Sequence, residues 1–149
     1  MRQIDLKFNY APILFGDIKD GGGREPTSKM LAMLNEATDT EKDCVGAWNR
    51  LYNNGGNKRM FFNQILCHDR YVMPTISSGH NCLFDYANKK SISSNDIIHA
   101  QTFPEDYNFG TNTFSSVNYV CGMSVPPIMI KRIVQRIISS GVFENSETT

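Results

Sequence analysis

The fold is decided by residues 101–140, which read QTFPEDYNFGTNTFSSVNYVCGMSVPPIMIKRIVQRIISS. Ser124 is expected to cap a helix here, and Pro126 or Pro127 suits its first turn, where no backbone N–H is needed. Gly141 is a typical helix stop. Apolar residues repeat between these limits at helical spacing, and they are Ile130, Ile133, Val134 and Ile137. The pattern predicts a closing helix with Lys131, Arg132, Gln135 and Arg136 on its wet face.

The predicted helix is apolar over more than one narrow stripe. Its apolar residues are Ile128, Met129, Ile130, Ile133, Val134, Ile137 and Ile138. A helix with so much apolar surface expects burial on both sides. Two interpretations stay open: the helix packs on a body that this chain does not contain, or it closes a small local core.

Upstream of this stretch the sequence predicts short helices and strands. Helices are expected at 28–37, after a variant capping box at 40–43, and at 94–100. Strands are expected at 58–65 and 69–73, and a loop between Phe109 and Val120. A further short strand is predicted from the alternation of Ile4, Leu6 and Phe8. The second helix should bury Cys44, Ala47, Trp48, Leu51 and Tyr52.

Composition sets limits on the class of protein. With 149 residues the chain is expected to form one domain with a real core. The 15 Lys and Arg residues balance 15 Asp and Glu residues, which argues against a free-standing, strongly basic nucleic-acid-binding module but not against a local basic patch. The sequence has no membrane-length apolar run, and its four cysteines form no Cys-x-x-Cys pair. We therefore expect a cytoplasmic protein with reduced thiols and no metal site.

Two segments of the quoted stretch resemble the last two conserved blocks of the DNA (cytosine-5)-methyltransferase family of phages and bacteria. In that family a Gln-x-Phe-Pro-x-x-Tyr segment precedes a Gly-Asn-Ser-Val-Pro-Pro turn and a closing helix. The matching residues are Ile92, Gln101, Phe103, Pro104, Asp106, Tyr107, Gly122, Ser124, Val125, Pro126 and Pro127. The departures from the pattern are Lys90, Asp96, His99 and Met123.

The resemblance implies an α+β fold. Residues 1–88 would form a small mixed target-recognition domain of short strands and helices. Residues 89–141 would carry the conserved motifs and a C-terminal helix that packs on a Rossmann-like catalytic domain, and 142–149 would be a polar tail. The segment at 11–18 is similar to one that follows the eighth conserved block, which implies that Met1 lies past the catalytic half.

The catalytic residues of the family are not found in the sequence. Cytosine-5 methylation needs a thiolate, which the family carries in a Pro-Cys pair, and a glutamate in a Glu-Asn-Val strand. No cysteine here follows a proline, Glu144-Asn145 lies in the polar tail, and the glycines at 21–23 are expected to form a linker rather than a cofactor loop. We therefore assign no catalytic residue.

The leading hypothesis is the target-recognition and C-terminal portion, or split subunit, of a restriction-modification DNA (cytosine-5)-methyltransferase that is inactive alone. A catalytic half would complete the S-adenosylmethionine site. The alternative is a degenerate, non-enzymatic module that binds DNA or a methyltransferase and regulates it. A third possibility is an unrelated domain that matches by chance.

The candidate site residues follow from both kinds of reasoning. The resemblance implies that Met123 and Ser124 line the methyl-donor pocket and that Thr75, in the Thr75-Ile76 pair, touches a phosphate of double-stranded DNA; a β-branched pair leaving a strand is the other interpretation. From residue type alone, Lys58, Arg59 and Arg70 could contact phosphates, and Asn63 and Gln64 could read base edges. Each of these five is equally compatible with a solvated surface position.

Overall fold

The computed structural model describes residues 5, 7–79, 82–110 and 113–141, and these residues form a mixture of helices and short strands. This content agrees with the α+β class predicted from the sequence. The described elements, in chain order, are α1 Phe15–Ile18, α2 Ser28–Glu36, α3 Val45–Tyr52, β1 Gln64–Cys67, β2 Cys82–Asp85, β3 Lys90–Ser91, α4 Ser94–Ala100, α5 Phe114–Met123 and α6 Pro127–Ser139.

The three strands form one sheet in the order β1-β2-β3. Strands β1 and β2 are parallel, with Ile65 opposite Leu83, and β3 pairs antiparallel with β2. The turn between β2 and β3 is fixed by the buried carboxylate of Asp85, which accepts hydrogen bonds from the backbone N–H groups of Ala87 and Asn88 at 2.9 and 3.1 Å. This sheet is small and depends on helices on both faces for burial.

The core consists of two apolar clusters. Successive residues of a strand point to opposite faces, so Leu66 belongs to one cluster and Cys67 to the other. The first cluster lies against α1, α4 and α5 and contains Phe15, Cys67, Ile76, Leu83, Ile92, Ile97, Val117 and Cys121. The second lies under α2 and α3 and contains Met30, Met33, Leu34, Ala37, Cys44, Ala47 and Leu66.

Helix α4 confirms the predicted start at the Ser93-Ser94 pair. The Ser93 side chain accepts from the Asp96 backbone N–H, and the Asp96 carboxylate accepts from the Ser93 backbone N–H, which is a complete capping box. The buried Asp96 carboxylate also accepts from the backbone N–H of Asp20 at 2.9 Å. The cap therefore fastens the glycine-containing segment before α2 to the first cluster.

The strand predictions at 58–65 and 69–73 are largely wrong. Only Gln64 and Ile65 of the first segment are in a strand. Lys58 cannot join a ladder because its backbone N–H and C=O are both bonded to the Asn49 side chain. In the second segment Tyr71 closes a turn onto the His68 carbonyl, and its own carbonyl accepts from Phe15.

Helix α2 follows the sequence prediction, with Thr27 as its cap, but α3 differs in two respects. It begins at Val45, so the capping box at 40–43 is wrong; the Asp43 carboxylate accepts from the Val45 N–H instead. Leu51 and Tyr52 are exposed, and Asn49 is buried in their place. The predicted strand residues Ile4 and Leu6 and the polar tail lie outside the described residues.

The loop expected before Val120 is the helix α5, capped by Thr113. Ser115, Ser116 and Asn118 interrupt its apolar residues, which explains why the sequence does not show a clear helical spacing here. Ser124 consequently ends α5, with its hydroxyl donating to the Val120 carbonyl, and it does not cap α6. Pro126 is the cap residue and Pro127 the first residue of α6, as the proline rule predicts.

Helix α6 is the least covered element of the described chain. None of its residues is buried, and Ile130, Val134 and Ile138 are 46%, 47% and 64% exposed. Gly141 follows with φ of 66°, which is the expected stop. The interpretation that α6 closes a local core is therefore wrong. Among the described helices, none is long and apolar enough to cross a bilayer.

Alanine variants of two isoleucines compare how much a core residue and an α6 residue contribute to the free energy of unfolding. Ile97 is fully buried, so Ile97→Ala should lower the free energy of unfolding by about 2–5 kcal/mol through the cavity that it leaves. Ile130→Ala, the matched control, should change it by no more than about 0.5 kcal/mol. Urea denaturation of both variants checks this. A large loss from Ile130→Ala would mean that α6 is packed against its own chain.

Candidate functional site

Residues from both C-terminal blocks meet in one groove, which has a volume of about 610 Å³. Its polar groups come from Thr75, Gln101, Ser124 and Arg132. Apolar walls are supplied by Phe8, Tyr10, Ala11, Pro12, Ile13, Ile18, Val72, Met73, Pro74, Ile76, Ala100 and Pro126, and Gly122 completes the lining. We call this the Thr75–Ser124 groove. It brings Thr75 together with Ser124, which lies 49 positions later in the chain.

The groove exists because α5 lies directly on the segment that follows Thr75. A Cβ on Gly122 would overlap the backbone of Ser77 and Ser78, so only glycine permits this approach. The Asn118 side chain, one helical turn earlier, donates to the carbonyls of Ser77 and Gly79 at 3.2 and 2.7 Å. These contacts leave Ile76 buried in the core and Thr75 exposed at the groove.

The Phe-Pro-x-x-Tyr segment joins the groove to α6. Pro104 begins a turn in which Tyr107 N–H donates to its carbonyl, and the rings of Phe103 and Tyr107 lie 4.8 Å apart. Thr102 has φ of 59°, and its hydroxyl oxygen accepts from Ile128 N–H at 3.1 Å. The first turn of α6 is thus fixed beside Gln101.

One buried polar atom of the residues that line the groove has no hydrogen-bond partner among the described residues. The Gln101 Oε1 atom is buried without a hydrogen-bond partner there, which is costly unless a ligand or solvent supplies a donor. Arg132 stacks its guanidinium on the Tyr10 ring at 3.8 Å. The groove lining thus offers a polar ligand the side chains of Thr75, Gln101, Ser124 and Arg132.

The two predicted cofactor residues differ in position. Ser124 lines the groove, although its hydroxyl hydrogen is used on the Val120 carbonyl, and its oxygen can still accept. Met123 is 65% exposed and does not line the groove. Both remain predicted cofactor contacts.

Among the predicted DNA-binding residues, Thr75 alone lines the Thr75–Ser124 groove. Arg70 lies elsewhere and donates to Asp39 at 2.6 Å. Lys58, Arg59 and Asn63 are exposed on the loop between α3 and β1, and Gln64 is half-buried at the start of β1. Sequence reasoning missed Asn49 and Asn118, whose side chains position these segments; asparagine inside a helix, where it is a poor former, was the available signal.

Three of the four cysteines, Cys44, Cys67 and Cys121, are buried. Burial raises the pKa of the Cys44 and Cys67 thiols to about 12 and that of Cys121 to about 11. A thiol with such a pKa is protonated at pH 7 and is a poor nucleophile. No cluster of metal-ligating side chains occurs in the part of the chain that the structure describes.

Comparison with protein families supplies the remaining information. The model of the C-5 cytosine-specific DNA methylase family matches residues 22–139, which include α2 to α6 and most of the groove. The chain belongs to this family. No curated protein and no solved structure matches it. The chance match considered above is thereby set aside.

Membership of the methylase family indicates a function related to DNA cytosine-5 methylation. Its members typically use S-adenosylmethionine as the methyl donor, and DNA is the corresponding substrate. The Thr75–Ser124 groove is polar at Gln101 and Ser124 and cationic at Arg132, which is compatible with either of these ligands.

The raised thiol pKa values give a chemical test. In the folded chain at pH 8, Cys44, Cys67 and Cys121 should resist alkylation by iodoacetamide, because they are buried and protonated. All should react after unfolding in urea, which is the internal control. Mass spectrometry of peptides identifies each site. Rapid alkylation of any of the three in the native protein would contradict this account.

Proposed function

We propose that this chain is the target-recognition and C-terminal portion of a DNA cytosine-5 methyltransferase of the phage and bacterial type. It acts on double-stranded DNA with S-adenosylmethionine as donor, and it does not transfer a methyl group alone. The nucleophilic cysteine and the ring-binding glutamate come from a catalytic body that a separate subunit or another segment supplies. The chain contributes DNA recognition, the groove and α6.

The exposure of α6 is the observation that carries this proposal. A free helix of this length is marginal in water, and tertiary packing of its apolar face normally stabilises it. That face is only partly covered in the described chain: Ile133 and Ile137 are half-buried, whereas Ile130 and Val134 are 46% and 47% exposed. The remaining apolar surface suits a second body, and the family match, which extends through α6 to residue 139, supports the catalytic body as its occupant.

The groove lies at the start of α6, so a body docked on this helix would close over it. Ser124 would then contact the methyl donor through its oxygen and backbone. Met123, which is exposed and has no amide, would add only an apolar contact. Thr75 would donate its hydroxyl to a phosphate on the exposed side of the groove.

Reconstitution tests the proposal. The chain is mixed with the catalytic half of a cytosine methyltransferase, encoded beside it and carrying Pro-Cys and Glu-Asn-Val. Transfer of labelled methyl groups from S-adenosylmethionine to cytosine in duplex DNA should require both components. Ile130→Asp should lower transfer and complex formation by about tenfold or more, because it buries a carboxylate in the apolar contact.

Gln135→Asp is the matched control, since it adds the same charge on the polar face of α6 and should leave transfer unchanged. Neither substitution touches a buried residue, so neither should unfold the chain. Methyl transfer by the chain alone would overturn the proposal. A tight complex without transfer would favour the alternative, a non-enzymatic regulator, for which the exposed Met123 in place of asparagine is the supporting observation.

A further inference from the structure

The loop of residues 53–63, between α3 and β1, is positively charged. The whole segment from residue 44 to residue 68 contains no Asp or Glu. Its one paired cation is Arg50, which contacts Glu36 and Glu41. Lys58 and Arg59 are exposed and form no ion pair with any described residue. The loop therefore carries a local positive charge, as does α6 with Lys131, Arg132 and Arg136, in a chain with no net charge.

The loop is fixed at Lys58 by the buried side chain of Asn49. The Asn49 Nδ2 atom donates to the Lys58 carbonyl at 2.9 Å, and its Oδ1 accepts from the Lys58 N–H at 3.1 Å. A second hydrogen of Nδ2 donates to the Val45 carbonyl at 2.9 Å, and Asn53 donates to Oδ1 at 2.7 Å. Asn49 therefore holds both backbone groups of Lys58 in one position.

A second attachment lies three residues later. The Phe61 ring stacks on Trp48 with centroids 6.2 Å apart, and Lys29 Nζ lies 5.2 Å from the Phe61 ring. Phe61 has φ of 63°, a conformation that is unfavourable for a bulky residue and persists where the surroundings impose it. Arg59 and Met60 lie between the two attachments and project as an exposed tip, Met60 being 49% exposed.

Such a tip has the properties of a duplex-DNA probe. Arginine can form two parallel hydrogen bonds to a guanine edge in the major groove. The neighbouring cations Lys58 and Lys29 suit phosphates, and no described carboxylate from residues 44–68 opposes them. A loop already ordered before binding loses less conformational entropy when it binds.

We propose that the 53–63 loop is a preorganised specificity element that enters a groove of duplex DNA, with Arg59 reading a base pair. Asn49 is a positioning residue that acts through Lys58 and does not touch DNA. This inference rests on the proposed function, because the methylase family supplies DNA as the substrate. It goes beyond it by naming the residue that reads sequence.

Selection from a random-sequence duplex library with the full chain tests the inference. Arg59→Ala should weaken binding to the selected duplex by about 10–100-fold, the loss expected for one bidentate base contact, and should erase the preference at one or two base pairs. Arg59→Lys should not restore that preference, because a point charge cannot replace the planar fork. Lys131→Ala, which removes an exposed cation of α6, should leave both affinity and preference unchanged.

A double-mutant cycle separates positioning from general stability. Asn49→Ala should lower affinity for the selected duplex, and the loss should largely disappear when Arg59→Ala is already present, because both act through the same tip. If the losses of affinity from the two substitutions are additive, Asn49 has a purely structural role, and the proposal that it positions Arg59 is overturned. Arg59 is exposed, so Arg59→Ala should fold. This variant therefore tests the inference even if Asn49→Ala is unstable.

The remaining outcomes distinguish this inference from the proposed function. If Arg59→Ala weakens all duplexes uniformly and reduces the salt slope by about one, Arg59 is a phosphate contact and base reading is overturned. If the variant binds and selects like the wild type, the loop has no role in recognition, while the proposed function stands. If the wild-type chain binds no duplex at all, the DNA-recognition role in the proposed function fails as well.

Discussion

The close approach of α5 to the segment after Thr75 is the constraint on which the site depends. Gly122 lets the helix backbone lie against Ser77 and Ser78, and the Asn118 amide holds that segment through two carbonyls. A side chain at Gly122 would push the two apart, since backbone atoms cannot yield as a flexible side chain can. Thr75, Gln101 and Ser124 would then no longer share a groove, and the start of α6 would shift with them.

Three segments of the described chain are each held by a buried polar side chain in addition to apolar contacts. Asp96 ties the segment at Asp20 to α4, Asn118 ties the Ser77 segment to α5, and Asn49 ties Lys58 to α3. Each of these side chains is buried, and a buried polar group that satisfies its partners fixes one geometry. A small sheet with two modest apolar clusters gains its specificity in this way, while the polar contacts of α6 beyond its first turn are made at the surface, where Arg136 donates to the Asp5 carbonyl and Arg132 stacks on Tyr10.

The sequence predicted the helical parts of the fold well and the strands poorly. The caps of α2 and α4 follow from local chemistry, because the Thr27 and Ser93 side chains accept from backbone N–H groups of the first helical turn. The start of α6 does so too, because Pro127 has no N–H that would need a partner there. The segments at 58–65 and 69–73 alternate like strands, yet their backbone groups bond to Asn49, His68 and α1. Partners so far away in the chain cannot be predicted from the alternation of apolar and polar residues. Helix α5 was missed for the opposite reason, because its polar residues face the neighbouring segment and hide the apolar spacing.

The amino-acid sequence by itself determined the family, through Phe103-Pro104 and Gly122 to Pro127, and it determined that α6 is apolar over a wide surface. It also showed that no cysteine follows a proline. Only the tertiary structure decided that Ser124 ends α5, that Gln101 shares a groove with Thr75, and that no α6 residue is buried within the described chain. The physical reason is that composition and spacing fix what a segment can bury, whereas the partner that covers it is chosen by contacts between residues far apart in the chain.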